Sequence, residues 1–179
     1  MAPVPSTPPT AAQQAAADQL VADVKVGIAQ YSNAQTAEAD GYEPISTKQL
    51  PMTHYLNKSV IKSGDVLDPS HPSALMFANT GNGPVLIGAM FLGSAPCVPG
   101  PDVGGSLTQW HAHDNLCFSG GTLVGRANSA GVCSQGSLKD SGYFMLHVWT
   151  NPTLAAQYQF KADIPISVMR SVDQTAGQS

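Results

Sequence analysis

Charged residues are scarce in this sequence. Only 11% of the 179 residues are Asp, Glu, Lys or Arg, compared with about 25% in a typical soluble domain. The eight Lys and Arg residues are scattered and the formal net charge is −4. This argues against nucleic acid as a partner, because phosphate binding needs clustered basic side chains. The polar surface must come from uncharged residues, which favours a protein that works outside the cytoplasm.

Long apolar runs and several enzyme signatures are also missing. The longest apolar stretch, 84–92, is strand-sized, well short of the ~18 residues of a membrane span. There is no Gly-x-Ser-x-Gly motif of a serine hydrolase, and the Gly-rich stretch 120–125 lacks the Lys of a phosphate loop. No signal peptide is visible either. We interpret the Pro-rich start as the mature end of a secreted protein whose signal peptide was removed; a cytosolic protein with a disordered N-terminus is the alternative.

The length suits one domain, and 42% hydrophobic residues can form a sizeable core. We predict a disordered Pro-rich linker over 1–10, a single β-rich domain over 11–172 and a flexible tail over 173–179. The domain begins with a predicted helix over 11–39, because Leu20, Val24, Ile28 and Tyr31 form one apolar stripe. This amphipathic helix should cover a sheet.

Short apolar runs separated by turn residues follow the helix. The segments 75–78 and 85–92 flank an Asn- and Gly-rich stretch, which predicts a β-hairpin. Further strands are predicted over 107–113, 123–124, 143–149 and 163–169, the last at a sheet edge because it contains Pro165. The predicted fold class is mainly β, with α+β at the margin: a small antiparallel β-barrel or sandwich covered by the N-terminal helix.

The three cysteines are Cys97, Cys117 and Cys133, and none forms a C-x-x-C pair. A zinc ribbon is therefore not indicated. In an oxidising compartment, Cys117 and Cys133 could form a disulfide across the loop between them, leaving Cys97 free. The alternative is three buried thiols that act as small apolar side chains.

The histidines carry the clearest chemical signal. On a strand the side-chain period is two, so His111 and His113 should share a face with Gln109 beside them. Two imidazoles about 6.6–7 Å apart along a strand can converge on one metal ion. His147 lies in another predicted strand and can supply a third ligand. This pattern, in a chain with five histidines, favours a metal site over structural histidines.

The same region resembles the cupin family, small β-barrels that hold a metal inside. The first cupin motif is matched by Gly105, His111, His113 and Gly125, with Cys117 or Phe118 where cupins carry a Glu ligand. The second is matched by Gly136, His147 and Asn151, with Gly142 and Phe144 replacing the usual Pro and Gly. The resemblance implies a cupin-like barrel around the histidines.

Four segments are similar to a family of bacterial secreted proteins: 40–42, 52–55, 67–69 and 111–117. This second resemblance implies export and transfers no function.

A replacement for the missing Glu ligand is needed, and His54 is the first candidate. Four nitrogen ligands would suit copper or zinc, with iron as a further option. Cys117 with Met145 would instead give blue-copper-like ligation, ranked below the disulfide. Asp114 and Gln109 could orient the ligating histidines from a second layer. His71 lies in a predicted turn and is left out of the site.

The sequence therefore predicts a mononuclear, histidine-rich metal site in a secreted domain. One hypothesis is a binding protein that captures, buffers or delivers copper or zinc. A second is a cupin-like metalloenzyme with an open metal position for a small-molecule substrate. A third is a structural or interaction domain that the metal stabilises. No Asp or Glu is adjacent to the histidines in a way that identifies a general base, so no catalytic residue is assigned.

Overall fold

A computed structural model of the protein describes residues 7–175. Its helices are α1 (Ala11–Gly27), α2 (Ala34–Ala39), α3 (Lys58–Ser63), α4 (Pro152–Tyr158) and α5 (Ile166–Thr175), with a 3₁₀ turn at Ala29–Ser32. Its strands are β1 (Tyr42–Pro44), β2 (Met52–Asn57), β3 (Ala74–Thr80), β4 (Gly83–Leu92), β5 (Leu116–Ser119), β6 (Thr122–Arg126), β7 (Ser137–Lys139) and β8 (Met145–Trp149). Helix and strand are nearly equal, at 28% and 27%. The fold is therefore mixed α+β rather than mainly β.

The strands form two antiparallel sheets. The larger has the order β1-β2-β3-β4-β8, and the smaller has the order β6-β5-β7. A single parallel bridge between Ser46 and Leu123 joins them. Over residues 7–175 the sheets do not close into a barrel, so the predicted barrel is wrong and a cupin-like fold is not confirmed. Within the same range, no helix is long and apolar enough to cross a membrane.

The N-terminal helix covers one face of the larger sheet, as the apolar stripe predicts. Leu20, Val24, Ile28 and Tyr31 are all buried. They share a core with the alternate residues of β3 and β8 that point to this face: Leu75, Phe77, Leu146 and Val148. The predicted continuous helix is divided into α1, the 3₁₀ turn and α2, with Asn33 capping α2 through the backbone amide of Gln35.

The opposite face of the sheet holds the second core. The intervening residues of the same strands, Met76, Met145 and Trp149, pack there with Leu154 of α4 and Met169 of α5. The histidines discussed below lie on this second face, which β8 shows directly because His147 alternates with Leu146 and Val148.

The predicted hairpin is confirmed by the antiparallel pairing of β3 with β4. Strands predicted at 123–124 and 143–149 are also present, as β6 and β8. Sequence patterning did not identify β1, β2, β5 or β7.

Two predicted strands are wrong. The segment 163–169 is instead a short loop followed by the start of α5, and Pro165 accepts backbone hydrogen bonds from Val168 and Met169 at 3.0 Å each. Proline suits a helix start because its missing N–H would have no partner there. The segment 107–113 is irregular apart from one bridge at His111. Its Thr108 side chain accepts a hydrogen bond from Gly104 N at 2.8 Å, and such local side-chain bonds to the backbone compete with strand pairing.

The chain ends differ from the prediction in part. Thr10, placed in the predicted linker, caps α1 through the backbone amide of Gln13. Helix α5 continues to Thr175, into the predicted loose tail. Residues 1–6 of the predicted linker and 176–179 of the predicted tail lie outside the described residues.

The smaller sheet contains the predicted disulfide. Cys117, on β5, is bonded to Cys133, which lies in the loop before β7. Cys117 is 1% exposed, whereas Cys97 is an exposed free thiol. The disulfide fits a protein of an oxidising compartment.

Loss of this disulfide should destabilise the protein. The bond spans 16 residues of sequence, and releasing a loop of that length costs about 3 kcal/mol of unfolding free energy in the chain-entropy model. We expect a Cys117→Ala/Cys133→Ala variant to unfold at correspondingly lower urea concentration. Cys97→Ala, which removes the free thiol, is the matched control and should change stability by less than about 0.5 kcal/mol. Equal midpoints for the double variant and the wild type would contradict this expectation.

Candidate functional site

Four of the five histidines meet on the second face of the larger sheet. His147 is central: its ring centre lies 4.8 Å from that of His111, 5.8 Å from His54 and 6.2 Å from His113. The rings of His111 and His113 are 5.2 Å apart. We call His54, His111, His113 and His147 the histidine cluster. The structure thus brings together all four predicted ligands.

His54 reaches the cluster from β2, across two intervening strands from His147. His54 pairs with Met76, Met76 with Gly88, and Gly88 with Trp149. Strands β2 and β8 are separated by two others, which is about 14 Å in a flat sheet. The side chains of His54 and His147 span this distance, and their ring centres are 5.8 Å apart. Gly88 allows this close packing, since a Cβ there would lie 2.3 Å from Val148 O.

His111 and His113 reach the cluster from the irregular segment that borders β8. His111 exchanges two backbone hydrogen bonds with Met145, at 2.9 and 2.7 Å, and His113 O accepts from Ser141 N at 2.9 Å. These bonds keep 111–113 locally extended. The strand prediction was wrong, but the two-residue spacing still places both rings together.

Hydrogen-bond partners are lacking at the centre of the cluster. Among the described residues, four buried polar side-chain atoms have no hydrogen bond: Nδ1 and Nε2 of His147, Nε2 of His111 and Oδ1 of Asn115. His147 is only 2% exposed. The backbone of Ala162 is close enough to raise the pKa of His147 slightly, but this contact falls outside the geometric limits of a hydrogen bond. Burying an imidazole without hydrogen bonds lowers the free energy of unfolding unless another group binds its nitrogens.

Burial lowers the pKa of every histidine in the cluster. It lowers the pKa of His54 to about 4, with added repulsion from His113 and Arg126. Burial, then Arg126 and His111, lower the pKa of His113 to about 4. Burial also lowers the pKa of His111, and that of His147 well below its usual value. His54 retains partial solvent exposure, although its ring is surrounded by protein atoms. All four rings are therefore neutral near pH 7, the form that can ligate a metal.

Arg126 and Asp163 form an ion pair beside the cluster. The charge of Arg126 acts on His54, His111 and His113, and that of Asp163 on His111 and His113. Burial alone would raise the pKa of Asp163, but Arg126 outweighs it and the net pKa is lowered. Sequence analysis missed both residues. They come from β6 and from the start of the α5 region, so only the tertiary fold joins them to the histidines.

Gln109 and Asp114, predicted to orient the ligating histidines, both lie close to the cluster, but neither side chain is hydrogen-bonded to a histidine ring. The side chain of Gln109 donates to Ser106 O at 2.9 Å, and it is the carbonyl oxygen of Gln109 that lies 3.3 Å from His111 Nδ1. Asp114 is exposed and acts on His113 through its charge. His71, left out of the predicted site, pairs with Asp68 at 2.8 Å and is largely exposed.

Other residues of the motifs have local structural roles. Cys117 is in the disulfide, so the blue-copper alternative is wrong because no free thiolate is present at that position. Asn151 caps α4 by accepting from Thr153 N at 3.1 Å. Gly136 has a φ of +71°, and a Cβ there would lie 2.3 Å from Phe118 O. These positions are explained by folding requirements alone.

The side chains of the histidine cluster are not arranged in the geometry of a metal site. Over residues 7–175, no group of three or more His, Cys, Asp or Glu side chains is arranged to hold a metal ion as it stands. The arrangement nevertheless places three neutral imidazoles around one buried neutral imidazole, that of His147. Comparison of the chain with protein-family models, curated protein sequences and solved structures gives no match.

Proposed function

We propose that the protein binds one transition-metal ion, copper or zinc, in the histidine cluster, and that it captures, buffers or delivers this metal outside the cytoplasm. The observation that carries the proposal is His147, a buried neutral imidazole with both nitrogens unpartnered among three further imidazoles. Each unsatisfied buried polar atom costs about 1–3 kcal/mol. A metal ion bound to one of the two nitrogens of His147 would remove that cost at this nitrogen.

The donor set supports copper or zinc over harder cations. Imidazole nitrogen suits zinc, copper and iron, whereas calcium and magnesium prefer oxygen ligands. Imidazoles that share one metal ion, with metal–nitrogen bonds near 2 Å, have ring centres about 5 Å apart. The observed separations of 4.8–6.2 Å are close to this value. Binding would then need the rings to turn about their side-chain torsions rather than the backbone to move.

The disulfide and the scarcity of charge support a location outside the cytoplasm. Disulfides persist in oxidising compartments and are rare where thiols are kept reduced. The protein would then encounter metal without competition from a pool of reduced cytosolic thiols.

A metalloenzyme is the second candidate, and Asp163 favours it. A metal with an open position supplies Lewis acidity and an acidified water. The Asp163 carboxylate, held ionised by Arg126, lies within electrostatic range of His111 and His113 and could accept a proton there. This provides the carboxylate that sequence analysis could not identify.

Metal binding should depend on the cluster. We expect the full chain, stripped of metal, to take up one equivalent of Cu(II) or Zn(II), measured by competition with a chromophoric chelator. His111→Ala/His113→Ala should weaken the affinity by more than about 100-fold, since loss even of outer partners costs about 10–100-fold. Cu(II) should also quench Trp149, whose ring centre is 5.3 Å from that of His147.

His71→Ala is the matched control, because it removes an exposed histidine outside the cluster. It should leave the affinity unchanged. If wild-type protein takes up neither ion, or if the double variant binds as tightly as the wild type, the proposed function is wrong.

A further inference from the structure

A cleft of about 640 Å³ lies between the loop 99–111 and the segment 155–162. Its volume is within the range of small-molecule sites, about 300–1,000 Å³. His111 is the member of the histidine cluster that lines it. The cleft is otherwise built from residues that the metal proposal does not use.

The polar groups of the cleft are mainly uncharged. Three side-chain amides line it, those of Gln109, Gln157 and Gln159. Its charged residues are one Asp102 and one Lys161, which balance each other. One carboxylate oxygen of Asp102 already accepts from Gly105 N at 2.7 Å. The cleft therefore offers little net charge to an ionic ligand.

Three aromatic side chains also line the cleft, and one of them is held in place. Trp110, Tyr158 and Phe160 line the cleft. The Trp110 ring is fixed by a hydrogen bond from Nε1 to Pro101 O at 3.0 Å. It packs against Gly100, where a Cβ would lie 2.1 Å from the ring, so only glycine fits at that position. A ring held in this way is preorganised, which lowers the entropic cost of binding.

We propose that this cleft binds a small, uncharged, hydroxyl-rich molecule of the sugar class. A side-chain amide has both donors and an acceptor, as hydroxyl groups require. The C–H faces of a sugar ring can pack against aromatic side chains such as Tyr158. The single Asp102 and single Lys161 give the cleft no net charge that would favour an ionic ligand of either sign. The cleft shares only His111 with the proposed metal site, and the amide and aromatic side chains that would hold the sugar are not metal ligands.

The test is a titration of the full chain in EDTA with glucose, galactose, N-acetylglucosamine and cellobiose, followed by ligand-observed NMR and calorimetry. Glucuronate and glucosamine serve as charged analogues. We expect at least one neutral sugar to bind with a Kd of about 1 mM or tighter, and the charged analogues to bind more weakly. Ala156→Trp should fill the cleft and weaken binding by at least about 10-fold, as should Gln157→Leu by removing an amide.

Ala15→Trp, at an exposed helical alanine of α1 that does not line the cleft, is the matched control and should bind like the wild type. Circular dichroism checks that each variant is folded. Absence of binding by all four neutral sugars would overturn the proposal, as would tighter binding of a charged analogue. Binding that survives both cleft variants would place the sugar elsewhere and overturn it too. None of these outcomes bears on metal binding, because EDTA is present throughout.

Discussion

Replacing His147 with leucine should abolish metal binding and, at the same time, stabilise the metal-free protein. His147 is 2% exposed and neither of its ring nitrogens has a hydrogen bond. Leucine fills a similar volume without burying polar atoms. Removing an unsatisfied buried group recovers about 1–3 kcal/mol, which for a chain of this length corresponds to a rise of about 2–4 °C in Tm per kcal/mol.

The two readouts distinguish a binding site from a structural histidine. If His147 serves to bind metal, its unpartnered nitrogens destabilise the metal-free protein. The chelator-treated His147→Leu variant should therefore have a higher Tm than the chelator-treated wild type. Saturating Zn(II) should then raise the Tm of the wild type and leave that of the variant unchanged. A loss of more than about 1 kcal/mol in the metal-free variant would show that the ring has compensating partners, such as ordered water. The metal proposal would then lose its main support.

The sequence predicts the elements whose pattern depends on local periodicity. The stripe of Leu20 and Val24 in α1 and Ile28 directly after it is buried, as its spacing predicts. The hairpin of β3 and β4 follows from its turn residues. Both predictions depend on residues that lie within about ten positions of one another in the sequence.

Closure of the sheet could not be predicted, because it depends on contacts between distant segments. The cupin-like motif around Gly105 and Gly125 implied a barrel, whereas within residues 7–175 one isolated bridge, between Ser46 and Leu123, joins the two sheets. The turn at Pro165 was also ambiguous, since a proline suits either an edge strand or the start of a helix. Burial of Met169 and Val172, three residues apart, is what selects the helix.

The histidines of the site could be predicted from the sequence, whereas the charged residues beside them could not. The spacing of His111 and His113, a third histidine in a predicted strand, His147, and the search for a fourth ligand, which selected His54, identified the residues that the structure brings together. Arg126 and Asp163 carry no motif, and their effect on the pKa values of the histidines arises only from tertiary proximity. Ligand identity can be inferred from residue type and spacing, whereas the charges around a site depend on the whole fold.

Those electrostatics predict that the metal-free protein loses stability steeply as the pH falls from 7 to 5. The pKa of His54 and of His113 is about 4 in the folded protein, against about 6.5 in an unfolded chain. Between these values the unfolded state binds more protons, so unfolding is favoured as the pH decreases. The full stabilisation is present above pH 6.5, and its loss is complete once the pH passes below about 4.

The loss should amount to about 2 kcal/mol for each such histidine between pH 7 and pH 5, or up to about 4 kcal/mol for His54 and His113 together. This is a large part of a typical stability of 5–15 kcal/mol. Urea unfolding in EDTA at intervals of 0.5 pH unit would measure it, above the range where Asp68 and Asp163 titrate. His147→Leu removes one buried imidazole, so its stability should fall less steeply with decreasing pH. A wild-type stability that does not change down to pH 5 would mean that the histidines accept protons freely and that the cluster is open to water. Water would then already bind the imidazole nitrogens, and the metal proposal would lose its support.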